Sequence, residues 1–249
     1  MTLLVLALIA GAVTGLALGA LGGGGSVLAV PALIYLLGLS PVAATTASLL
    51  VVAVTSFTAL LAHSRDGHVR LRTGLLFAAA GIGPAMLGAG LSGHLPGSVL
   101  TAAFAVLAAL AALRMLRGTP PDGPSAQLRP GRAVGSGAGL GAVTGVLGVG
   151  GGFLAVPALV RGVGLRMRDA VGTSLLVITV NSLAALLLRA DTLRGLDWAA
   201  VAPFAGAAVL GAFDGRRLSA KLSGAALRRT FAVALLAVAA LMLLDTVTR

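Results

Sequence analysis

The sequence predicts an all-α polytopic membrane protein composed of two homologous repeats, and three observations carry that prediction. Hydrophobic residues make up 58% of the 249 residues, charged residues make up 10%, and the mean hydropathy is +1.05. Because a soluble domain has about 25% charged residues, this composition indicates a chain embedded in a bilayer. The apolar residues also fall into runs of membrane-spanning length. In addition, residues 15–61 match residues 141–187 without a gap, and half of the paired residues are identical.

The apolar runs define ten candidate membrane segments, five in each half. They cover residues 3–21, 26–38, 43–62, 73–93 and 98–116 in the first half, and residues 133–149, 152–164, 169–188, 196–213 and 224–244 in the second. Most of them approach the roughly 20 residues that a spanning helix needs. The first run has no basic stretch before it, so we interpret it as a retained helix and not as a cleaved signal peptide.

The second and seventh runs are too short to cross a bilayer as straight helices. Each has 13 residues, which rise about 20 Å, or two-thirds of a hydrocarbon core about 30 Å thick. Each begins at a glycine cluster and contains a proline, Pro31 in the first half and Pro157 in the second. We therefore expect half-helices or sharply broken helices, a pattern typical of secondary transporters built from paired repeats.

The number of crossings, eight or ten, decides how the repeats are oriented. If both short segments cross, each half has an odd number of crossings and the repeats are inverted, whereas two re-entrant segments make the repeats parallel. Ten crossings with both termini outside place nearly all basic loop residues inside, but eight crossings leave two basic clusters outside. The positive-inside rule therefore favours the inverted repeat. The basic residues assigned to the inside are Arg65, Arg70, Arg72, Arg114, Arg117, Arg129, Arg132, Arg161, Arg166, Arg168, Arg216, Arg217, Lys221, Arg228 and Arg229.

The internal match also divides the chain into three parts. Residues 1–117 form the first repeat, residues 118–132 form a polar connector with four prolines, and residues 133–249 form the second repeat. Because proline and polar residues disfavour a membrane helix, we assign the connector no function beyond joining the two halves.

Consecutive glycines stand at the same place in both repeats. A glycine break followed by a helix directs free N–H groups and the positive end of the helix dipole into the protein interior. Non-helical backbone is tolerated in a bilayer only where protein or a water-filled cavity surrounds it. Two such helix ends form a candidate site for a small anion, although close helix packing alone would also explain the glycines. The residues predicted for this part of the site are Gly24, Gly25, Ser26, Gly150, Gly151 and Gly152.

Hydroxyl and amide side chains inside the third and eighth segments complete the candidate site. They are Ser48 in the third segment, and Thr173, Ser174 and Asn181 in the eighth. In an apolar setting these groups either bond to their own backbone or line the path of a substrate. Glycines spaced four residues apart are instead typical of helix packing. We assign that role to Gly11, Gly15, Gly19, Gly137, Gly141 and Gly145.

Several functional classes lack the residues that they require. The chain has no cysteine, which excludes thiol chemistry, and no metal-ligand spacing, nucleophile elbow or paired carboxylates indicate an enzyme, a metal site or an organic cofactor. No carboxylate lies in the middle of a segment, and Asp169 is expected at the inner surface. We expect His63 and His68 to be interfacial loop residues, and Arg70→Gln, a loop change, to have little effect. The net charge of +11 comes from loops between segments, which argues against nucleic-acid binding.

The glycine-rich run at residues 148–159, followed by Ala-Val-Gly-Thr-Ser-Leu at residues 170–175, resembles the TauE/SafE family of membrane permeases. The resemblance covers the whole chain. It implies a multi-pass protein of the bacterial inner membrane that transports small sulfur oxyanions or organosulfonates, such as sulfite or sulfoacetate. The first half departs from the pattern, because Thr46-Ala47-Ser48 stands where the second half has Gly-Thr-Ser, so we do not expect a strictly symmetric site.

The leading functional hypothesis is a secondary transporter that exports a small anion bound between the two half-helix N-termini. A passive anion channel and a non-transporting membrane scaffold are the alternatives. The duplicated breaks favour transport, and the short loops offer a scaffold little polar surface for partners. Its expected partners are the anion and the lipid bilayer, without nucleic acid, and a homo-oligomer is compatible with the sequence. The sequence leaves open which anion is carried, the coupling ion and the direction of transport.

Overall fold

A computed structural model describes residues 2–22, 26–92, 97–117, 130–147, 152–187, 193 and 195–248. Within these ranges the protein is all-helical, without strands, and its helices confirm the predicted fold class. The helices are α1 (Thr2–Leu21), α2 (Ser26–Pro31, continued by a π-helical turn at Ala32–Leu36), α3 (Pro41–Arg65), α4 (Leu71–Ser92), α5 (Gly97–Arg117), α6 (Pro130–Leu147), α7 (Gly152–Ala158, continued by a π-helical turn at Leu159–Val163), α8 (Met167–Leu187), α9 (Trp198–Lys221) and α10 (Gly224–Thr248).

Helix boundaries follow local residue chemistry. The Ser40 side chain caps α3 by accepting from the backbone N–H of Ala43, and the Asp197 carboxylate caps α9 by accepting from the N–H of Ala199 at 3.0 Å. Proline begins α6 at Pro130, a position where its missing N–H has no helical partner. The last three residues of the predicted connector thus belong to α6, and residues 118–129 lie outside the described part of the chain.

The two short helices start where the glycine clusters predict, at Ser26 and Gly152. Proline removes one intrahelical hydrogen bond and crowds the preceding turn. A widened π-helical turn therefore follows Pro31 directly, and another begins two residues after Pro157. Including these turns, α2 and α7 have 11 and 12 residues, so each rises only about 17 Å.

Glycine ladders bring α1 against α9 and α6 against α4, the closest helix pairs in the molecule. A methyl group at Gly11, Gly15 or Gly19 would collide with the backbone of α9, and one at Gly137 or Gly141 would collide with the backbone of α4. The packing role assigned to these five glycines is confirmed. Under the repeat offset α1 corresponds to α6 and α4 to α9, so each half packs its first helix on the fourth helix of the other.

The third helices of the two repeats, α3 and α8, pack against each other and run in opposite directions. Ser56 and Thr179 hydrogen-bond near the helix centres, with 2.9 Å between their hydroxyl oxygens. Beyond the end of α3, Arg70 contacts Asp169 in the first turn of α8. Residue numbers therefore rise along one helix as they fall along the other, which requires an antiparallel pair.

Large apolar side chains are exposed around the outside of the bundle. Leu87, Leu187 and Leu210 are 76%, 80% and 69% exposed, respectively. Such a surface is unfavourable in water and natural against lipid tails. Among the described residues, four helices are long and apolar enough to cross a membrane by length and composition: Leu3–Leu21, Ala43–Arg65, Met167–Leu187 and Trp198–Lys221.

Candidate functional site

The site residues predicted in the second repeat lie on α8, which has a deeply buried first half. Thr173 and Ser174 have no exposed surface, and Asn181 is half-buried two turns further along. The α8 helix packs against α3, α4 and α7. Thr173 and Ser174 therefore face protein and not lipid.

Ser174 lies against the first glycine break. Gly22 ends α1 with a φ of 69°, a left-handed conformation that favours glycine. A side chain there would also meet the Ser174 hydroxyl, because a Cβ at Gly22 would lie 2.5 Å from Ser174 Oγ and 3.4 Å from Val156 of α7. The structure thus brings the break before α2, the short helix α7 and a predicted hydroxyl of α8 together.

Both predicted serines use their hydroxyl groups within their own helices. Ser48 donates to the carbonyl of Thr45, and its repeat equivalent Ser174 donates to the carbonyl of Val171, each at 2.8 Å. An O–H group that donates in this way still has an acceptor lone pair. The same local hydrogen bond, from a serine hydroxyl to a backbone carbonyl, is therefore present at equivalent positions of α3 and α8.

Asn181 is the predicted site residue with an unmet hydrogen-bonding group. Its Oδ1 atom is buried and has no hydrogen-bond partner. Thr55, the repeat equivalent on α3, instead donates to the carbonyl of Val51 at 2.6 Å. A buried polar atom without a partner is unusual in a native structure and calls for an explanation, such as a bound water molecule or ion.

The glycine part of the predicted site is described only at its edges. Gly24, Gly25, Gly150 and Gly151 lie outside the described residues. Ser26 and Gly152 are the first residues of α2 and α7, and these two helices pack against each other. The two helix starts therefore belong to neighbouring elements, which the expected anion site requires.

A contact that the sequence did not predict joins the segment before α4 to the start of α8, and we call it the clasp. It consists of residues 68–70, which precede α4, and residues 169–173 at the start of α8. The backbone N–H of Arg70 donates to Thr173 Oγ1 at 3.0 Å. A Cβ at Gly172 would lie 2.7 Å from the carbonyl oxygen of His68. The absence of a side chain at Gly172 thus allows the segment to lie directly on α8.

Asp169 holds the clasp by charge. Its carboxylate is 1% exposed and lies 3.1 Å from His68 Nδ1, 3.2 Å from Arg70 Nη2 and 3.4 Å from Arg166 Nη2. Asp169 was expected at the inner surface, and at the start of α8 its carboxylate is buried beneath these side chains. Arg70 was expected to be an unimportant loop residue, whereas its guanidinium pairs with a buried carboxylate. Spacing alone would not have revealed this, because the partners are about 100 residues apart.

His63 also departs from its expected place in a loop. It lies in the last turn of α3, is 5% exposed, and its Nε2 is 3.2 Å from the carbonyl oxygen of Gly19 in α1. Gly19 precedes the first break by three residues. His63 thus joins the end of α3 to the last turn of α1.

The clasp lies on a face of the bundle that collects the basic loops, which we call the basic face. Arg216 donates to both carboxylate oxygens of Asp66 at 2.9 and 3.0 Å, and this hydrogen bonding lowers the pKa of Asp66. Arg168 donates to the carbonyl of Leu222 at 2.9 Å. Arg161 also donates to the carbonyl of Arg114. Contacts therefore join the loops that the charge distribution had assigned to one side.

Within the described ranges, no group of three or more His, Asp or Glu side chains has an arrangement that would hold a metal ion. The structure instead brings Arg70 against Thr173 and Ser174 against Gly22. Hydroxyl and guanidinium groups of this kind can donate hydrogen bonds to an anion.

Comparison with known proteins gives a match over almost the whole chain. A family model described as "Sulfite exporter TauE/SafE" matches residues 7–242. A "Probable membrane transporter protein" of Xylella fastidiosa strain Temecula1 is 37% identical over 239 residues, which cover 92% of this chain and 90% of that protein. A protein of the same description from strain 9a5c is 36% identical over 239 residues, with the same coverage. No solved structure gives a significant match.

Proposed function

The chain belongs to the sulfite exporter TauE/SafE family of membrane transporters, and from this membership and the site geometry we propose that it is a secondary transporter that exports a small sulfur oxyanion or organosulfonate. The observation that carries the proposal is the meeting of Ser174 with the Gly22 break beside α7. There, two short helices and the hydroxyls of α8 converge inside an apolar bundle. The family description supports sulfite as the first anion to test.

The proposed binding site lies between the starts of α2 and α7. Each helix N-terminus presents free N–H groups and about half of an elementary positive charge. Together with Ser48, Thr173, Ser174 and Asn181 they would hold a singly charged anion weakly enough to release it. The unpartnered Oδ1 of Asn181 supports this assignment, because a protonated oxyanion or a bound water could donate to it while the amide NH2 donates to the anion.

We also propose that the repeats are inverted and that both short segments contribute to crossing. The antiparallel pairing of α3 and α8 supports this arrangement, because equivalent helices of a parallel repeat would point the same way. The packing of the first helix of each half on the fourth helix of the other half also supports this arrangement. With the basic face inside, the protein would lie in the bacterial inner membrane with both termini outside.

The test of the function is efflux from liposomes that contain the purified protein and radiolabelled sulfite. We expect a saturable efflux that unlabelled sulfite on the opposite side accelerates, since a carrier exchanges its substrate. Efflux that is never saturated or accelerated would identify a channel instead. Rates equal to those of protein-free liposomes, for sulfite and for a series of sulfonates, would contradict the transporter and favour the scaffold.

Gly151→Ala tests the glycine break directly. We expect it to lower the rate of sulfite efflux at least tenfold, about 1.4 kcal/mol, while the protein stays folded. Gly206→Ala is the matched control, because a Cβ at Gly206 meets nothing within 4 Å and should leave the rate unchanged. Equal rates for both variants would mean that Gly151 serves packing and that the anion binds elsewhere.

A further inference from the structure

We propose that the clasp is the gate at the basic face and that Arg70 is an anion-binding residue that exchanges Asp169 for the transported anion when the gate opens. The inference rests on the proposed function, because it assumes that an anion passes along α8. It adds a binding position that the glycine breaks do not provide. Four observations carry it: the place of the clasp, the pairing of Arg70, the charge of the cluster and its counterpart in the other repeat.

The place of the clasp is between the basic face and the glycine break. Thr173 accepts from the backbone of Arg70, and the next residue, Ser174, touches Gly22. Residues 68–70 therefore lie on the route proposed for an anion that moves between the break and the basic face along α8. The hydrogen bond from the Arg70 backbone to the Thr173 side chain and the side-chain pairs with Asp169 hold this segment on α8, so it is able to move without unwinding the helix.

The pairing of Arg70 is incomplete. A guanidinium binds an oxyanion most strongly through two parallel N–H bonds, and Nε with Nη2 forms one such edge. Asp169 Oδ2 contacts Nη2 at 3.2 Å, whereas the buried Nε has no hydrogen-bond partner. A sulfite or sulfonate group has the oxygens to engage both donors. The anion thus offers Arg70 a better pairing than Asp169 does, and this difference would drive the exchange.

The charge of the cluster also suits the exchange. Two arginines, Arg70 and Arg166, and His68 surround one carboxylate. When Arg70 turns to the anion, Asp169 keeps Arg166 and His68 as partners. The buried carboxylate is therefore never left unpaired, which would otherwise be strongly destabilising.

The counterpart of the clasp in the other repeat is apolar. Under the repeat offset, Asp169 corresponds to Ala43, Thr173 to Ala47 and Arg70 to Leu196. Leu196 and Ala47 are buried in one cluster, with Ala43 packed against it. The region of the first repeat that corresponds to the clasp is thus held by hydrophobic packing, whereas the clasp is held by ions. The response to an anion is therefore assigned to the clasp.

The experiment uses Ser174→Cys as the sole cysteine, because the natural chain has none and residue 174 lies buried behind the clasp. The rate of labelling by a membrane-impermeant maleimide is measured in inside-out vesicles. We expect slow labelling in the otherwise native protein and labelling at least tenfold faster after Asp169→Asn or Arg70→Gln. Arg72→Gln, an exposed change two residues away, is the matched control and should leave the rate slow.

Methanesulfonate, which does not react with maleimide, tests the role of Arg70 as the anion ligand. At equal ionic strength it should accelerate labelling several-fold relative to chloride in the native and Arg72→Gln backgrounds, and should have no effect after Arg70→Gln. Equal labelling in all backgrounds would overturn the gate, and acceleration that persists without Arg70 would overturn the anion-binding role. If Asp169→Asn does not fold, the paired variant Asp169→Asn with Arg70→Gln replaces it, since it leaves no buried charge. Because labelling needs no transport, a failure to carry sulfite would count against the proposed function only.

Discussion

At the scale of single residues, the polar side chains of α3 and α8 differ in whether they have hydrogen-bond partners. Thr55 and Thr179 both donate to carbonyl groups one turn earlier in their own helices. Asn181 retains a buried oxygen without a partner, which costs about 1–3 kcal/mol in a folded protein. An apolar residue would avoid this cost, so we interpret Asn181 as a functional position and not a structural one.

We therefore expect Asn181→Leu to reduce sulfite efflux at least tenfold without lowering the thermal unfolding midpoint, because it removes a group that stabilises nothing. Leu183→Ala is the control on the same helix, since Leu183 is 52% exposed on the outside of the bundle. The efflux rate and the midpoint are measured on the same purified samples. If Asn181→Leu unfolds at a lower temperature but transports sulfite normally, Asn181 has a structural role and not a functional one.

Asp66 and Arg216 give a prediction of pH dependence on the basic face. The hydrogen bond from Arg216 lowers the pKa of Asp66 below its ordinary value of 3.8. A carboxyl with a lowered pKa contributes stability that is fully present above the ordinary pKa and is lost as the pH falls through the lower, folded-state value. Asp66→Asn should thus cost up to about 1 kcal/mol at neutral pH, because the pair is partly exposed.

The measurement is the thermal midpoint of the native protein and Asp66→Asn from neutral pH to about pH 2. The difference between them should shrink as the pH falls and Asp66 becomes protonated in both the folded and unfolded states. A difference that stays constant over this range would mean that the substitution acts through packing and not through the ion pair.

At the scale of helices, the contact between α1 and α9 depends on the absence of side chains. Gly11, Gly15 and Gly19 lie against the backbone at Phe204, Ala208 and Ala212. Gly211 and Gly215 of α9 make the reciprocal contact with α1. In a bilayer, such close backbone approach replaces the hydrophobic effect as the source of helix association.

Gly15→Leu should separate α1 from α9 and lower the thermal midpoint by roughly 2–12 °C, because overpacking costs about 1–3 kcal/mol and each kcal/mol shifts the midpoint by about 2–4 °C in a chain of this length. Gly206→Leu introduces the same side chain on α9 where a Cβ meets nothing within 4 Å, and it should leave the midpoint nearly unchanged. The comparison is made by thermal unfolding and size-exclusion chromatography in one detergent. An equal loss of stability in both variants would show that any added leucine destabilises the protein, and that the contact between α1 and α9 is not the cause.

At the scale of the whole molecule, the basic face defines how the protein should sit in the membrane. Asp66 between α3 and α4 pairs with Arg216 near the end of α9, so these regions must lie on one side. Gly195 precedes α9, at the opposite end of that helix. With the positive loops inside, positions 66 and 217 face the cytoplasm and position 195 faces outward.

Single cysteines test this arrangement. Asp66→Cys and Arg217→Cys should react with an impermeant maleimide only in inside-out vesicles, and Gly195→Cys only in intact cells. The natural absence of cysteine makes each signal unambiguous. Labelling of positions 66 and 217 from outside would contradict the topology with the N-terminus outside, although it would leave the helix packing untouched.

The sequence by itself determined the features that depend on neighbouring residues. The starts of α2 at Ser26 and α7 at Gly152, the packing role of Gly15 and the grouping of basic loops could all be predicted, since glycine, proline and charge act through local backbone freedom and solvation. That Thr173 and Ser174 would need hydrogen-bond partners could be predicted too, because a hydroxyl within an apolar run needs a partner wherever the run is placed.

Only the tertiary structure decided which partners those residues meet. Asp169, His68 and Arg70 look like separate loop charges in the sequence, and they become one cluster around the buried carboxylate of Asp169 because α3 and α4 pack against α8. Ser174 likewise reaches Gly22 across about 150 residues. Such contacts depend on the relative placement of whole helices. That placement is set by the sum of many small packing interactions and not by any local pattern.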